Sequence, residues 1–248
     1  MPYLTRPDGA KISWEAHGPP GAPPLLLCTM ATAAMSVWTP LVEALSPDWR
    51  VLLHDRRGEG DSDAGAPATH TFETMRDDAL AVMDAAGAAS AAVAGMAFGA
   101  RVALRIALDA PDRVAALILF DATGGPPAPL AERTAGREAA KALRAAAGLA
   151  EPAVERAWFR RRDPGGEKVN GRALAGQPAW MPGLERISAP TLVACGEQDP
   201  NLPGSRRLAT EIPGARLEVM PMAGHGSILD RPDHVAACAR AFLEGLPA

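Results

Sequence analysis

Short, almost wholly apolar runs alternate with helix-patterned stretches along most of this 248-residue chain, and that alternation restricts the fold more than any other feature. Residues 24–30, Pro-Leu-Leu-Leu-Cys-Thr-Met, read as a strand too apolar to keep one face in water. Residues 49–55, 91–95 and 190–196 read the same way, as does Val114–Phe120. A strand that is apolar on both sides must be covered on both sides, which a parallel sheet flanked by helices achieves. Helical patterns fall between these runs, at residues 37–45, 72–86 and 99–110. Lys11–His17 differs, alternating apolar and polar residues as a half-buried strand does, and Arg216–Met220 is the last strand expected. The expected fold class is therefore α/β, with helices on both faces of a mostly parallel sheet and a site at the carboxyl ends of its strands.

The rhythm breaks after Asp121. Gly124-Gly125-Pro126-Pro127-Ala128-Pro129 reads as a linker, and helices are expected over residues 130–147 and 151–162. Asp163-Pro164-Gly165-Gly166 interrupts again, and no strand pattern returns before Thr191. The chain divides on this basis into a sheet-bearing core, residues 1–124 and 188–248, and an inserted helical lid, residues 125–187.

A composition of 48% hydrophobic and 22% charged residues belongs to an ordinary globular protein, and a net charge of −4 argues against a nucleic-acid partner. No apolar run approaches the roughly 20 residues of a membrane span, so no membrane partner is expected. Residues 1–9 contain no apolar stretch of the kind an export signal needs, and the expected location is cytoplasmic. Cys28, Cys195 and Cys238 have no CxxC spacing and read as buried free thiols, with a thiol nucleophile at Cys28 or Cys195 as the alternative.

One stretch stands out for what it lacks. Val93-Ala94-Gly95-Met96-Ala97-Phe98-Gly99-Ala100 has the G-x-S-x-G frame of a nucleophile elbow, with Ala97 where serine would stand. Before it come Thr29-Met30-Ala31-Thr32, ahead of Trp38, and then Asp55-Arg56-Arg57-Gly58-Glu59-Gly60-Asp61-Ser62. After it come Gly196-Glu197-Gln198-Asp199 and Gly224-His225-Gly226, each at the end of a late strand. In this order the landmarks resemble the α/β-hydrolase superfamily over nearly the whole chain apart from the lid. Thr29-Met30, in place of the commoner His-Gly, is similar to esterases and lactonases of the 3-oxoadipate enol-lactonase type.

The resemblance implies an eight-stranded sheet and cofactor-free hydrolysis of a small-molecule ester or lactone. A serine hydroxyl attacks well only when an imidazole takes its proton and a carboxylate steadies that imidazole. The nucleophile, acid and histidine positions fall at Ala97, Asp199 and His225, with Asp121 as the alternative acid. Backbone N–H groups of Phe98 and Ala31 are the expected oxyanion donors. Trp158, Phe159, Trp180 and Met181 are expected to roof an apolar pocket floored by Met30, Met96 and Phe98. Arg156, Arg160, Arg161 and Arg162 fall on the second expected lid helix, either solvated or with one clamping an acidic substrate. The Asp55–Ser62 charges read as structural ties between loops near the elbow. No His/Cys cluster has ligand spacing, no phosphate loop is present, and neither metal nor cofactor is expected. His17, His54, His70 and His234 read as structural or surface groups.

Ala97 itself allows three readings: a nucleophile replaced deliberately to trap a substrate, a naturally serine-free site doing lyase, isomerase or cyclase chemistry with His225–Asp199, or a binding protein that has lost turnover.

Overall fold

The computed structural model describes residues 2–161, 163, 166–175 and 177–246, without the side chains of residues 166 and 167. Its sheet has eight strands. They are β1 (Tyr3–Thr5), β2 (Lys11–His17), β3 (Pro24–Cys28), β4 (Arg50–His54), β5 (Ala91–Met96), β6 (Val114–Phe120), β7 (Thr191–Gly196) and β8 (Arg216–Met220). The spatial order is β1-β2-β4-β3-β5-β6-β7-β8, antiparallel at β1–β2 and β2–β4 and parallel from β4 onward. The short β1 has no clear sequence signal of its own and forms by pairing with β2.

The apolar runs become strands because they are covered twice. Along β6, Leu117 and Leu119 enter the core on one face of the sheet, while Ala116, Ile118 and Phe120 enter the other. The same two-residue period divides Leu26 and Cys28 from Leu25 and Leu27 on β3. Each such leucine stabilises the fold by about 1.5–3 kcal/mol relative to leaving it in water.

Helices α1 (Thr39–Leu45), α2 (Phe72–Ala85), α3 (Phe98–Asp109), α4 (Leu130–Ala146), α5 (Gly166–Leu174), α6 (Leu202–Glu211), α7 (Ser227–Asp230) and α8 (Pro232–Glu244) follow the strands. The Thr71 hydroxyl caps α2 by accepting from the Thr74 amide. Chain direction across the sheet reverses between β3 and β5, which lie side by side but continue toward opposite edges. A crevice opens at the carboxyl ends of such a strand pair.

The segment between β6 and β7 departs from expectation. Helix α4 forms, but of the second helix expected over residues 151–162 the described residues 151–161 show only a 3-10 turn, Arg156–Phe159. Tertiary pairing outcompetes helix formation. The Trp158 carbonyl accepts from the Ala34 amide, the Arg160 carbonyl accepts from the Gly60 amide, and Arg161 bridges to Gly60. Arg162 lies outside the described residues. Helix α5 instead begins at Gly166, where the sequence suggests an interruption.

Candidate active site

The loop at Ala97 is a backbone feature before it is a chemical one. Ala97 sits between β5 and α3 with φ 51° and ψ −110°, a conformation that side-chain-bearing residues adopt reluctantly. The flanking glycines make the turn possible. A Cβ on Gly95 would lie 2.4 Å from the Gly99 carbonyl oxygen, and one on Gly99 would lie 2.0 Å from that of Cys28. The Ala97 amide donates to the Phe120 carbonyl at 2.9 Å, fixing the turn to β6.

Phe98 opens α3, so its amide lies at the positive end of a helix of twelve residues. Among the described residues, neither the Phe98 nor the Ala31 amide has a hydrogen-bond partner, and both residues border the cavity above Ala97. Arg56, which the sequence reading gave no individual role, holds this corner. It donates to the carbonyls of Thr29 (2.8 Å) and Met30 (3.0 Å), and its guanidinium lies 4.3 Å from the centre of the Phe98 ring. Phe72 stacks on that ring at 4.8 Å. Asp55 accepts from the amides of Met35 (2.6 Å) and Asp61 (2.8 Å), so it does tie loops together, while burial pushes its carboxyl up to about 6. Arg57 pairs with Asp8 and Asp78.

The loops after β7 and β8 bring the acid and histidine together. His225 Nδ1 lies 2.9 Å from Asp199 Oδ2, and Asp199 is 3% exposed. The Asn201 amide donates to Asp199 Oδ1 at 2.8 Å, and Asn201 Nδ2 lies 3.0 Å from His225 Nδ1. With its proton on Nδ1 toward Asp199, the ring keeps Nε2 as a base. Asp121 is differently employed: it accepts from the amides of Gly196 (3.1 Å), Gly226 (3.1 Å) and Ser227 (2.6 Å). It therefore positions the histidine loop from beneath. Burial and the neighbouring Asp199 charge push its carboxyl up to about 6. Asp230 accepts from the Gly224 amide, and Glu197 is exposed.

Ala97, Phe98, Ala31, Met30 and His225 border one cavity of about 420 Å³. Phe159 reaches it, but four other expected contacts do not. Met96 ends β5 on the face that packs with Phe120 and is fully buried. Trp158 is buried in the same core, where its backbone holds Ala34. Trp180 turns outward, its indole N–H donating to Glu211 and its ring lying 3.8 Å beneath the Arg207 guanidinium. Met181 is anchored by its amide to the Gly124 carbonyl and packs in the opposite core. The walls contain instead Arg101, Arg133, Arg137, Asn170, Leu174 and Leu229, which the sequence reading passed over. Arg101 and Asn201 carried a readable signal: the first is a charge on the Phe98 side of an apolar helix, and the second lies two residues after Asp199.

Of the arginines expected to be solvated or substrate-clamping, Arg156 is exposed, whereas Arg160 and Arg161 are paired within the protein. Arg160 pairs with Asp61, and Arg161 Nε donates to the buried Glu59 at 2.7 Å. The Cys28 thiol is fully buried and pushed up to about 12, and burial also raises Cys195, so both are protonated at neutral pH. Among the described residues, two trios place possible metal-ligand atoms within 4.8 Å of one another, Asp121–Cys195–Asp199 and Glu218–His234–Cys238. The carboxylates of the first are already committed to backbone amides and to His225.

A model of the alpha/beta hydrolase family matches residues 16–238. The chain belongs to that family. Among curated alpha/beta hydrolase relatives, the RutD protein of Caulobacter vibrioides, provisionally named a carbamate hydrolase, is 29% identical over 94% of this chain and 96% of its own. RutD of Variovorax paradoxus, named in the same way, is 31% identical over 86% and 89%. The enol-lactonase of Burkholderia xenovorans LB400 superposes with a TM-score of 0.79 at 26% identity, covering 98% of this chain and 100% of the other. A thermophilic esterase from Thermogutta terrifontis gives 0.70 at 25% identity, covering 98% of each. Among the described residues, no helix is long and apolar enough to cross a membrane.

Proposed function

We propose that the cavity is the acyl-transfer site of a serine-type hydrolase for small carboxylic esters or lactones, with Ala97 standing at the nucleophile position. The observation that carries this reading is the backbone of Ala97, held at φ 51° beside a cavity that His225 also borders. Such strain serves to aim a side-chain oxygen at a carbonyl carbon, and it serves nothing for a methyl group. The names of the relatives add support, since carbamate, lactone and ester cleavage all break an acyl carbon–heteroatom bond.

With serine at this position, Oγ attacks the carbonyl carbon while His225 Nε2 takes its proton. Asp199 accepts Nδ1–H and offsets the charge of the imidazolium. The Phe98 and Ala31 amides stabilise the oxyanion, the leaving oxygen takes the proton from His225, and water repeats the sequence to free the acid. With alanine none of the covalent steps takes place, and loss of the nucleophile lowers kcat on the order of 10⁶-fold. The chain as written holds its substrate instead of turning it over, as a substitution made for trapping would. Residues 125–187 act as the lid of this site.

A second reading rests on the intact His225–Asp199 pair: Nε2 could take a proton from bound water or from the ligand itself, giving serine-free chemistry. One comparison separates the two. Ala97→Ser is expected to hydrolyse a small activated ester well above background, and Ala97→Ser with His225→Ala is expected to return to background. No gain from the serine, with turnover of a non-ester compound by the parent chain, would decide for the second reading.

A further inference from the structure

Arg101 borders the cavity without a counter-charge. It lies in the first turns of α3, three residues beyond Phe98 and so on the same helix face. The residue is 4% exposed and lines the cavity, yet among the described residues it has no hydrogen-bond or ion-pair partner. Burial holds its guanidinium below the ordinary value, and no acid counters that effect. The other most deeply buried arginines are all engaged: Arg56 by carbonyls, Arg57 by Asp8 and Asp78, and Arg144 by Glu151 and Asp230. The Arg101 nitrogens are not among the sealed, unpartnered side-chain nitrogens, so the guanidinium opens to the cavity, where a counterpart can reach it from outside the chain.

The remaining wall fits an anion. Arg133 and Arg137 also border the cavity, Arg133 bonded to the Ala128 carbonyl and Arg137 3.5 Å from Asp230. The one acid among the lining residues, Asp121, already accepts three amide hydrogens. Apolar side chains, among them Met30, Phe98, Leu130, Phe159 and Leu229, make up much of the rest. One planar guanidinium in an apolar wall suits one carboxylate, which it can grip with two parallel N–H bonds.

We propose that the cavity takes a short acyl compound carrying a carboxylate, with Arg101 as the anchor of that carboxylate and the acyl carbonyl lying at Ala97. The carbonyl end rests on the acyl-transfer reading above, whereas the carboxylate end stands on Arg101. Ala97 immediately precedes α3 and Arg101 is its fourth residue, and both border the same cavity, which suits a short ligand carrying both groups.

The test is a calorimetric titration of the parent chain, Arg101→Met and Arg101→Lys with monomethyl glutarate and with the neutral dimethyl glutarate. The parent is expected to bind the monoester about ten- to a hundredfold more tightly than the diester, the worth of one charge-assisted pair. Arg101→Met is expected to bind the two alike, and Arg101→Lys to recover part of the preference. Without ligand, Arg101→Met is expected to melt at or above the parent temperature, because the fold is relieved of an uncompensated charge. No binding of the monoester, equal affinity for the two esters, a preference that survives Arg101→Met, or a melting point well below the parent each overturn the anchor. The acyl-transfer reading fails separately: an Ala97→Ser chain that keeps the binding preference but hydrolyses neither ester removes the carbonyl end and leaves the anion site standing.

Discussion

The wall of the cavity made by the strand ends and the wall made by the segment between β6 and β7 are held by different kinds of contact. At the strand ends, backbone amides seat on buried carboxylates: three on Asp121, two on Asp55 and one on Asp199. These bonds fix main-chain positions, and the elbow glycines leave no slack between β3, β5 and α3. Much of the facing wall is tied by side chains reaching to side chains. Arg160 meets Asp61, while Arg161 and Asn170 both meet Glu59. Asn170 also accepts from Arg56, so a few polar groups join the two walls along one seam. In the proposed function, the first wall sets where a reacting carbonyl lies, and the second is where the size and charge of a ligand are selected.

The seam should be the most sensitive point. Glu59 is fully buried and accepts from the Thr32 amide, Asn170 and Arg161, with Arg56 3.6 Å away. Glu59→Ala strands those partners and is expected to cost about 3–5 kcal/mol in urea unfolding; a cost under 1 kcal/mol would mean that the walls are joined elsewhere.

A pH-dependent effect comes next, behind the strand-end wall. His54 is fully buried, its Nδ1 has no partner among the described residues, and burial with the Arg56 charge lowers it to about 4. The folded state thus binds that proton less readily than the unfolded state, whose histidine titrates near 6.5. Stability from neutral His54 is present above about 6.5 and is lost as pH falls toward about 4. His54→Leu removes the titration, so its melting temperature relative to the parent is expected to climb by several degrees from pH 7 to pH 5. A constant difference across that range would contradict a dry strand-end wall.

The smallest effect belongs to the outer wall. Arg160 is half exposed, and Arg160→Ala is expected to cost no more than about 1 kcal/mol, with most of that cost removed by high salt. A loss comparable to that of Glu59→Ala would erase the distinction between the walls.

The same contrast explains what was legible in the sequence. Val114–Phe120 and Arg216–Met220 were readable to the residue because strand apolarity and period are local properties. Gly95 and Gly99 were readable because close backbone approach tolerates no side chain. Placing Asp199 and His225 needed a resemblance, but their order along the chain was plain. The outer wall was not legible. Residues 151–162 have helical composition, and what prevents the helix over the described residues 151–161 is pairing with Ala34 and Gly60, remote in sequence. Aromatic residues nearby suggested a pocket roof, yet Trp158 and Trp180 have partners elsewhere that periodicity does not reveal. Arg101 was legible only as a charge within an apolar helix, and nothing in that pattern reveals that it goes without a partner.

In the proposed function, Ala97 occupies the nucleophile position of an otherwise assembled acyl-transfer site. Intact-mass measurement after exposure to an alkyl fluorophosphonate tests it most directly, because the reagent adds covalently to an activated serine and needs no knowledge of the substrate. The account predicts that the parent gains no adduct, Ala97→Ser gains one at residue 97, and Ala97→Ser with His225→Ala loses it. An Ala97→Ser chain that stays folded and unlabelled would contradict it.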